Sequence, residues 1–130
     1  MVGDVDKWKR EPVKSHFGKH EFQCRCCGRE EMDADFLFRL ALARAEAGVP
    51  FIINSGWRCV VHNRDPIVGG SADSSHKTGY AADIKAGDSV TRFKIIRALL
   101  MAGFKRIGIR KDFIHVDSDP DKPQGVVWLY

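Results

Sequence analysis

Ser74-Ser75-His76-Lys77-Thr78-Gly79-Tyr80-Ala81-Ala82-Asp83-Ile84-Lys85 decides how this chain is read. Its first half is polar, lacks apolar periodicity and ends on a glycine. Its second half, from Tyr80 to Lys85, is β-prone. On a straight helix, His76 and Asp83 would be about 10 Å apart along the axis. A loop that turns at Gly79 and runs into a strand brings both to one point. The third partner is His115, in Phe113-Ile114-His115-Val116-Asp117. Strand alternation puts His115 and Asp117 on one face and Ile114 and Val116 on the other. Two imidazoles and one carboxylate are the ligand set of a catalytic zinc, with one position left open. Such an ion lowers the pKa of water and polarises a carbonyl.

A hydrolytic centre of this kind also needs a base and a cation. Asp112 stands three residues before His115. A regular strand points the two to opposite faces, so a turn or bulge must precede His115 for Asp112 to reach the water. Arg58 follows Ser55-Gly56-Trp57 at a strand end, and its guanidinium can hold a carboxylate bidentately. Trp57 reads as core packing rather than a substrate platform. His16, His20 and His62 have no partners at ligand spacing and read as surface histidines.

Two helix signals and several strand signals surround this block. From Ala34 to Gly48, Phe36, Leu37, Leu40, Ala43 and Ala47 share one helical face; Asp33 is the N-cap, and Gly48 with Pro50 the stop. A second helix runs from Val90 to Ala102 behind a cap at Asp88 or Ser89. Phe93, Ile96, Leu99 and Leu100 form its apolar face, and Gly103 closes it. Phe51 to Asn54 reads as a buried strand. Arg106 to Ile109, Phe113 to Asp117 and Val126 to Tyr130 read as three more. Residues 58–79 form a long loop, and such loops in compact domains are usually functional or disordered. Two helices and four or five short strands, out of strict alternation, predict an α+β domain with a small, mainly antiparallel sheet. Residues 1–20 are polar and aperiodic and read as an irregular N-terminal arm, with residues 21–130 as a single domain.

The 130 residues are 44% hydrophobic and 29% charged, which supports a self-sufficient core and excludes a disordered low-complexity chain. No apolar run approaches the ~18–20 residues needed to cross a bilayer, so no membrane span is expected. No apolar stretch follows the charges near the N-terminus, so no secretory signal is expected. The net charge of +4 suits an anionic partner such as an acidic wall polymer. The basic residues are dispersed among acidic ones and form no run with exposed aromatics, so nucleic acid is not an expected partner. Cys24, Cys26, Cys27 and Cys59 are too few for a disulfide-stapled mini-protein. Three readings of them stay open: thiols near the surface, a disulfide between the cluster and Cys59, or a metal site. Against the last, Cys-x-Cys-Cys lacks the usual two-to-four-residue gap.

Ser55-Gly56-Trp57-Arg58, then Ser74-x-His76-x-x-Gly79-x-Ala81-x-Asp83, then Asp112-x-x-His115-x-Asp117 together resemble the zinc-dependent D-alanyl-D-alanine carboxypeptidase family of murein peptidases. That family includes phage endolysin L-alanyl-D-glutamate endopeptidases and shares its fold with the hedgehog signalling domain. His62-Asn63, Gly69-Gly70 and the final Trp128-Leu129-Tyr130 add to the likeness, which covers roughly residues 20–130. The resemblance implies a single zinc ion on His76, Asp83 and His115. It implies Asp112 as general base, Arg58 as transition-state or substrate anchor, and Ser74, the serine beside the site, as a substrate-binding residue. It also implies a peptidoglycan stem peptide as substrate. An endolysin-type protein needs no signal peptide, because it leaves the cytoplasm through a holin. The rival reading is a non-catalytic zinc-binding module that only recognises a peptide. The cysteine cluster takes no role from the resemblance.

Overall fold

The computed structural model describes residues 17–59 and 74–130. In chain order these form a 3-10 turn (Lys19–Phe22), α1 (Ala34–Ala47), β1 (Ile53–Ser55), β2 (Ala81–Lys85), α2 (Ser89–Met101), β3 (Arg106–Ile109), β4 (Phe113–Asp117) and β5 (Val126–Leu129). Both helices start on the expected side-chain caps. The Asp33 carboxylate accepts from Phe36 N–H at 2.9 Å, and Asp88 accepts from Thr91 N–H at 2.8 Å. Gly48 ends α1 in the left-handed region at φ 71°, where a side chain would be strained.

The five strands lie in one sheet in the order β1-β2-β4-β3-β5. β2 pairs antiparallel with β1 and β4, and β4 antiparallel with β3, whereas β5 runs parallel to β3. The α+β class and mainly antiparallel sheet are therefore as expected. The parallel edge arises because the turn after β4 steps past the start of β3. Gly125 and Val126 both donate to the Lys105 carbonyl there, so β5 begins where β3 begins.

One face of the sheet is the core. Ala82 and Ile84 of β2, Ile107 of β3, and Ile114 and Val116 of β4 are fully buried against Phe36, Leu40 and Ala43 of α1 and Ile95, Ala98 and Leu99 of α2. Complete burial of each large apolar side chain is worth about 1.5–3 kcal/mol. The alternation that sends these residues inward sends Asp83, His115 and Asp117 to the opposite face. Among the described residues no helix is long and apolar enough to cross a membrane.

Three expectations change. Of the expected face of α2, Leu99 is buried and Ile96 packs against the core, but Phe93 and Leu100 are 65% and 52% exposed, and Ile95 and Ala98 are buried instead. Both sets have helical spacing, and contact with α1 and β4 decides between them. The strand at Phe51 to Asn54 is a half-buried edge strand shifted to Ile53–Ser55, with Ile52 exposed. Within the stretch 1–20 expected to be an irregular arm, Phe17 is buried and packs edge-on against the Phe22 ring at 5.4 Å. Residues 1–16, the part of the loop from 60 to 73, and with them His16, His62-Asn63 and Gly69-Gly70, lie outside the described residues.

Candidate metal centre

A single row across the sheet builds the site. Ser55 of β1 faces Asp83 of β2, Asp83 faces His115 of β4, His115 faces Gly108 of β3, and Gly108 faces Trp128 of β5. Residues directly opposite across antiparallel strands hold their Cβ atoms about 4.5–5.5 Å apart, which brings Asp83 and His115 into contact. Gly108 belongs in this row because a Cβ there would press into the Trp128 indole at 2.7 Å. The indole therefore lies over the glycine and stands 5.5 Å from the His115 ring.

His76 comes from the turn before β2. That turn is fixed at Gly79, whose φ of +83° and contact with the Glu31 carbonyl leave no space for a side chain. The Gly79 carbonyl accepts from Asp33 N–H at 2.9 Å, tying the turn to the start of α1. His76 Nδ1 lies 2.7 Å from the Gly56 carbonyl, and only a ring N–H can make that bond. The proton is thus on Nδ1, and the Nε2 lone pair faces Asp83 Oδ1 at 3.4 Å. In His115 the roles of the two nitrogens are exchanged. Its Nε2 lies 2.7 Å from Asp117 Oδ2, and its Nδ1 is 2.9 Å from the same Asp83 Oδ1. Each ring N–H can donate to its carboxylate; a metal on Nδ1 takes the place of the proton there and leaves Nε2–H on Asp117. Ligand atoms of His76, Asp83 and His115 all lie within 4.8 Å of one another, and all three residues are buried.

Burial and pairing oppose each other here. Burial raises the Asp83 pKa, but its interactions with His115 and His76 outweigh it and hold the carboxyl well below its usual range. Burial pushes His76 down, favouring its neutral form. Burial also pushes His115 down, but its bonds to Asp117 and Asp83 raise it overall. Burial lowers the Arg58 pKa and the Asp83 charge counters this; a guanidinium keeps its charge regardless.

These residues open onto a cavity of about 450 Å³. Arg58 lines it, its Nη2 3.4 Å from Asp83 Oδ2 and its Nε donating to Ser55 Oγ at 3.0 Å. Ser74 also lines it, its hydroxyl accepting from His76 N–H at 3.2 Å. Asp112 is the residue the structure does not bring in. It sits at the β3–β4 hairpin tip, 65% exposed and 3.6 Å from Arg110, and is not among the lining residues. Strand β4 begins regularly at Phe113, so no bulge turns Asp112 toward His115. Trp57 is buried beside Cys24 and Cys59, as core packing requires, and His20 is exposed.

Sequence reading missed Arg106. It is buried and donates to Asp117 Oδ1 at 2.6 Å and to the Pro123 carbonyl at 2.6 Å, with its guanidinium 4.9 Å from the Trp128 ring centre. Its position at the first residue of a strand gave no signal by itself. Lys122 and Arg110 also line the cavity, so its charged residues are four cations and two carboxylates, Asp83 and Asp117.

Two imidazoles and a carboxylate converge with their ligand atoms within 4.8 Å of one another, a group that can hold a metal ion; this donor set is that of a zinc-type metallopeptidase. The residues present thus fit the metal. Residues 15–117 match the family model described as Peptidase M15, and the chain belongs to that family of metallopeptidases. No curated protein matches the chain.

Proposed function

We propose that this chain is a zinc-dependent peptidase hydrolysing amide bonds of peptidoglycan stem peptides, as a D-Ala-D-Ala carboxypeptidase or an L-Ala-D-Glu endopeptidase. The domain that carries it is residues 21–130, extended back to Phe17. The supporting observation is that His76, Asp83 and His115 meet in one cavity beside Arg58, with Arg110 and Lys122 at its walls. When bound on those three ligands, zinc supplies Lewis acidity that lowers the pKa of water and polarises the scissile carbonyl. Arg58 binds the carbonyl oxygen as charge develops on it, or a substrate carboxylate; its bond to Ser55 preorganises it for either role. The cationic walls favour a peptide bearing carboxylates, as stem peptides do. Ser74 holds the backbone of His76, and Asp117 holds the His115 ring in the required tautomer.

Asp112 is the general base in this reading. Asp117 is committed to His115 and Arg106, so the carboxylate with room to move at this edge is Asp112. That role requires the hairpin tip to rearrange, releasing Asp112 from Arg110 and turning its carboxylate toward the cavity. Its place outside the cavity is the observation that favours the second reading, a zinc-binding module that recognises a peptide without cleaving it. Mass analysis of fragments released from purified peptidoglycan, with and without a chelator, decides between them. Release that stops with chelation and with His76→Ala supports the peptidase. Stem-peptide binding without release supports the module.

A further inference from the structure

A second group of metal-type donors lies outside the cavity. Cys24, Cys26 and Cys27 occupy one turn, and Cys59 meets them from the segment that follows β1. The ligand atoms of the four all lie within 4.8 Å of one another. Cys26 Sγ is 3.3 Å and Cys24 Sγ 3.6 Å from Cys59 Sγ. Four thiolates about 2.3 Å from a central zinc stand roughly 3.8 Å apart at the corners of a tetrahedron. The sulfur atoms are therefore already near the spacing such an ion imposes.

The backbone has the form of a metal-binding turn. The gap judged missing from Cys-x-Cys-Cys is present when Cys24 is read against Cys27, as Cys24-Arg25-Cys26-Cys27-Gly28. Gly28 takes φ +73° and closes the turn by donating to the Cys24 carbonyl at 2.8 Å. Cys24 N–H returns to the Arg29 carbonyl at 2.7 Å. Cys24 Sγ accepts from Cys59 N–H at 3.4 Å, and the backbone of Cys26 and Cys27 also favours its ionised form. Backbone donors aimed at a sulfur stabilise a thiolate rather than a thiol. The surroundings supply compensating charge: the Arg29 guanidinium interacts favourably with the Cys27 thiolate, and Arg25 is anchored on the Asn54 carbonyl at 2.8 Å. Without a cation the cluster cannot ionise fully. Burial raises the Cys24 thiol, but the backbone of Cys59, Cys26 and Cys27 brings it down to about 6. Its bond to Cys59 pushes Cys26 up to about 12. A divalent ion removes that conflict and releases the remaining thiol protons to solvent.

We propose that Cys24, Cys26, Cys27 and Cys59 hold a second zinc ion in a closed, structural site. Four thiolates leave no open position, so this ion takes no part in hydrolysis. It pins the turn after the 3-10 element to the residue beside Arg58, across 35 positions of chain. Arg58 keeps its own bonds to Ser55, Asp83 and the His76 carbonyl, so the expected effect of the ion is on stability.

Metal analysis of the full-length protein, purified without chelator, is expected to find two zinc ions per chain. Folded His76→Ala should retain one. Loaded with cobalt, His76→Ala should show the near-ultraviolet thiolate-to-cobalt charge-transfer band, and adding Cys24→Ser, Cys26→Ser and Cys27→Ser together should abolish it. If the cysteine variant does not fold, thiol titration of the parent still decides: the four thiols should resist a disulfide reagent until a strong chelator is added, and then all react. Denatured, unreduced protein with no titratable thiols would mean disulfides and overturn the proposal. So would a folded His76→Ala protein without zinc or charge-transfer band. A failure of the histidine site alone looks different: the parent and His76→Ala would each hold one zinc, with the charge-transfer band intact.

Discussion

Replacing Asp117 by asparagine tests how the third ligand is made. Asp117 Oδ2 lies 2.7 Å from His115 Nε2, and Oδ1 lies 2.6 Å from Arg106 Nε. A carboxylate only accepts, so it keeps a ring proton on Nε2 when a metal displaces the one on Nδ1. Asparagine has one accepting oxygen and one donating amide. Arg106 can only donate, so it takes the oxygen and turns the amide toward His115 Nε2. The ring proton then moves to Nδ1, the atom that faces Asp83, and the ligand is blocked with almost no change of shape. Loss of an outer partner of a ligating histidine typically costs about 10–100-fold in metal affinity, or roughly 1.4–2.8 kcal/mol. The wrong tautomer places Asp117→Asn at the upper end of that range. The pH dependence has a definite sign. Proton and zinc compete for His115 Nδ1, so parent affinity declines as pH falls through the raised pKa of His115. His76, which burial keeps neutral to lower pH, does not set that limit. In Asp117→Asn one of the groups that raises His115 is gone, so affinity is weaker at neutral pH but its decline starts at lower pH. The assay is competition against a chromogenic zinc chelator over a pH series, with melting of the chelated proteins as the control for folding. Any ion held by the cysteines is common to both proteins and cancels. Parent affinity with the parent pH profile would refute the tautomer argument.

Asp112→Asn should keep the metal and the melting temperature while lowering kcat by about 10²–10⁴-fold, the usual cost of losing a general base; near-parent turnover with zinc retained would remove Asp112 from the mechanism. Gly79→Ala should destabilise the fold by roughly 2–5 kcal/mol, combining a left-handed backbone cost of ~1–2 kcal/mol with overpacking against Glu31 of ~1–3 kcal/mol. Denaturant unfolding measures it, and a change below 1 kcal/mol would show that the turn relaxes freely. Cys24→Ser, Cys26→Ser and Cys27→Ser together should lower the melting temperature yet leave turnover per folded, zinc-loaded molecule largely intact; a folded, loaded but inactive triple variant contradicts this.

Local signals were legible without a structure. The Asp33 and Asp88 caps, the Gly48 stop and the period-2 pattern of Phe113–Asp117 depend on neighbours within a turn or two, so residue type and spacing suffice to read them. His76, Asp83 and His115 were ligand candidates by residue type and by the resemblance of their motifs, and local spacing did not join His115 to the other two. What the tertiary structure decided were relations between residues distant in the chain. Register sets Asp83 opposite His115, because β2 and β4 are neighbours although α2 and β3 separate them in sequence. Arg106 meets Asp117 because β3 lies on the far side of β4, and Cys59 meets Cys24 because β1 ends beside the turn after the 3-10 element. The choice between two apolar faces of α2, and the placing of Asp112 at an exposed hairpin tip, also followed from packing and register. Periodicity names the faces an element offers and the side chains it carries. Which face is buried, and which side chains meet, depends on the order in which the strands pair, and no local stretch of sequence carries that order.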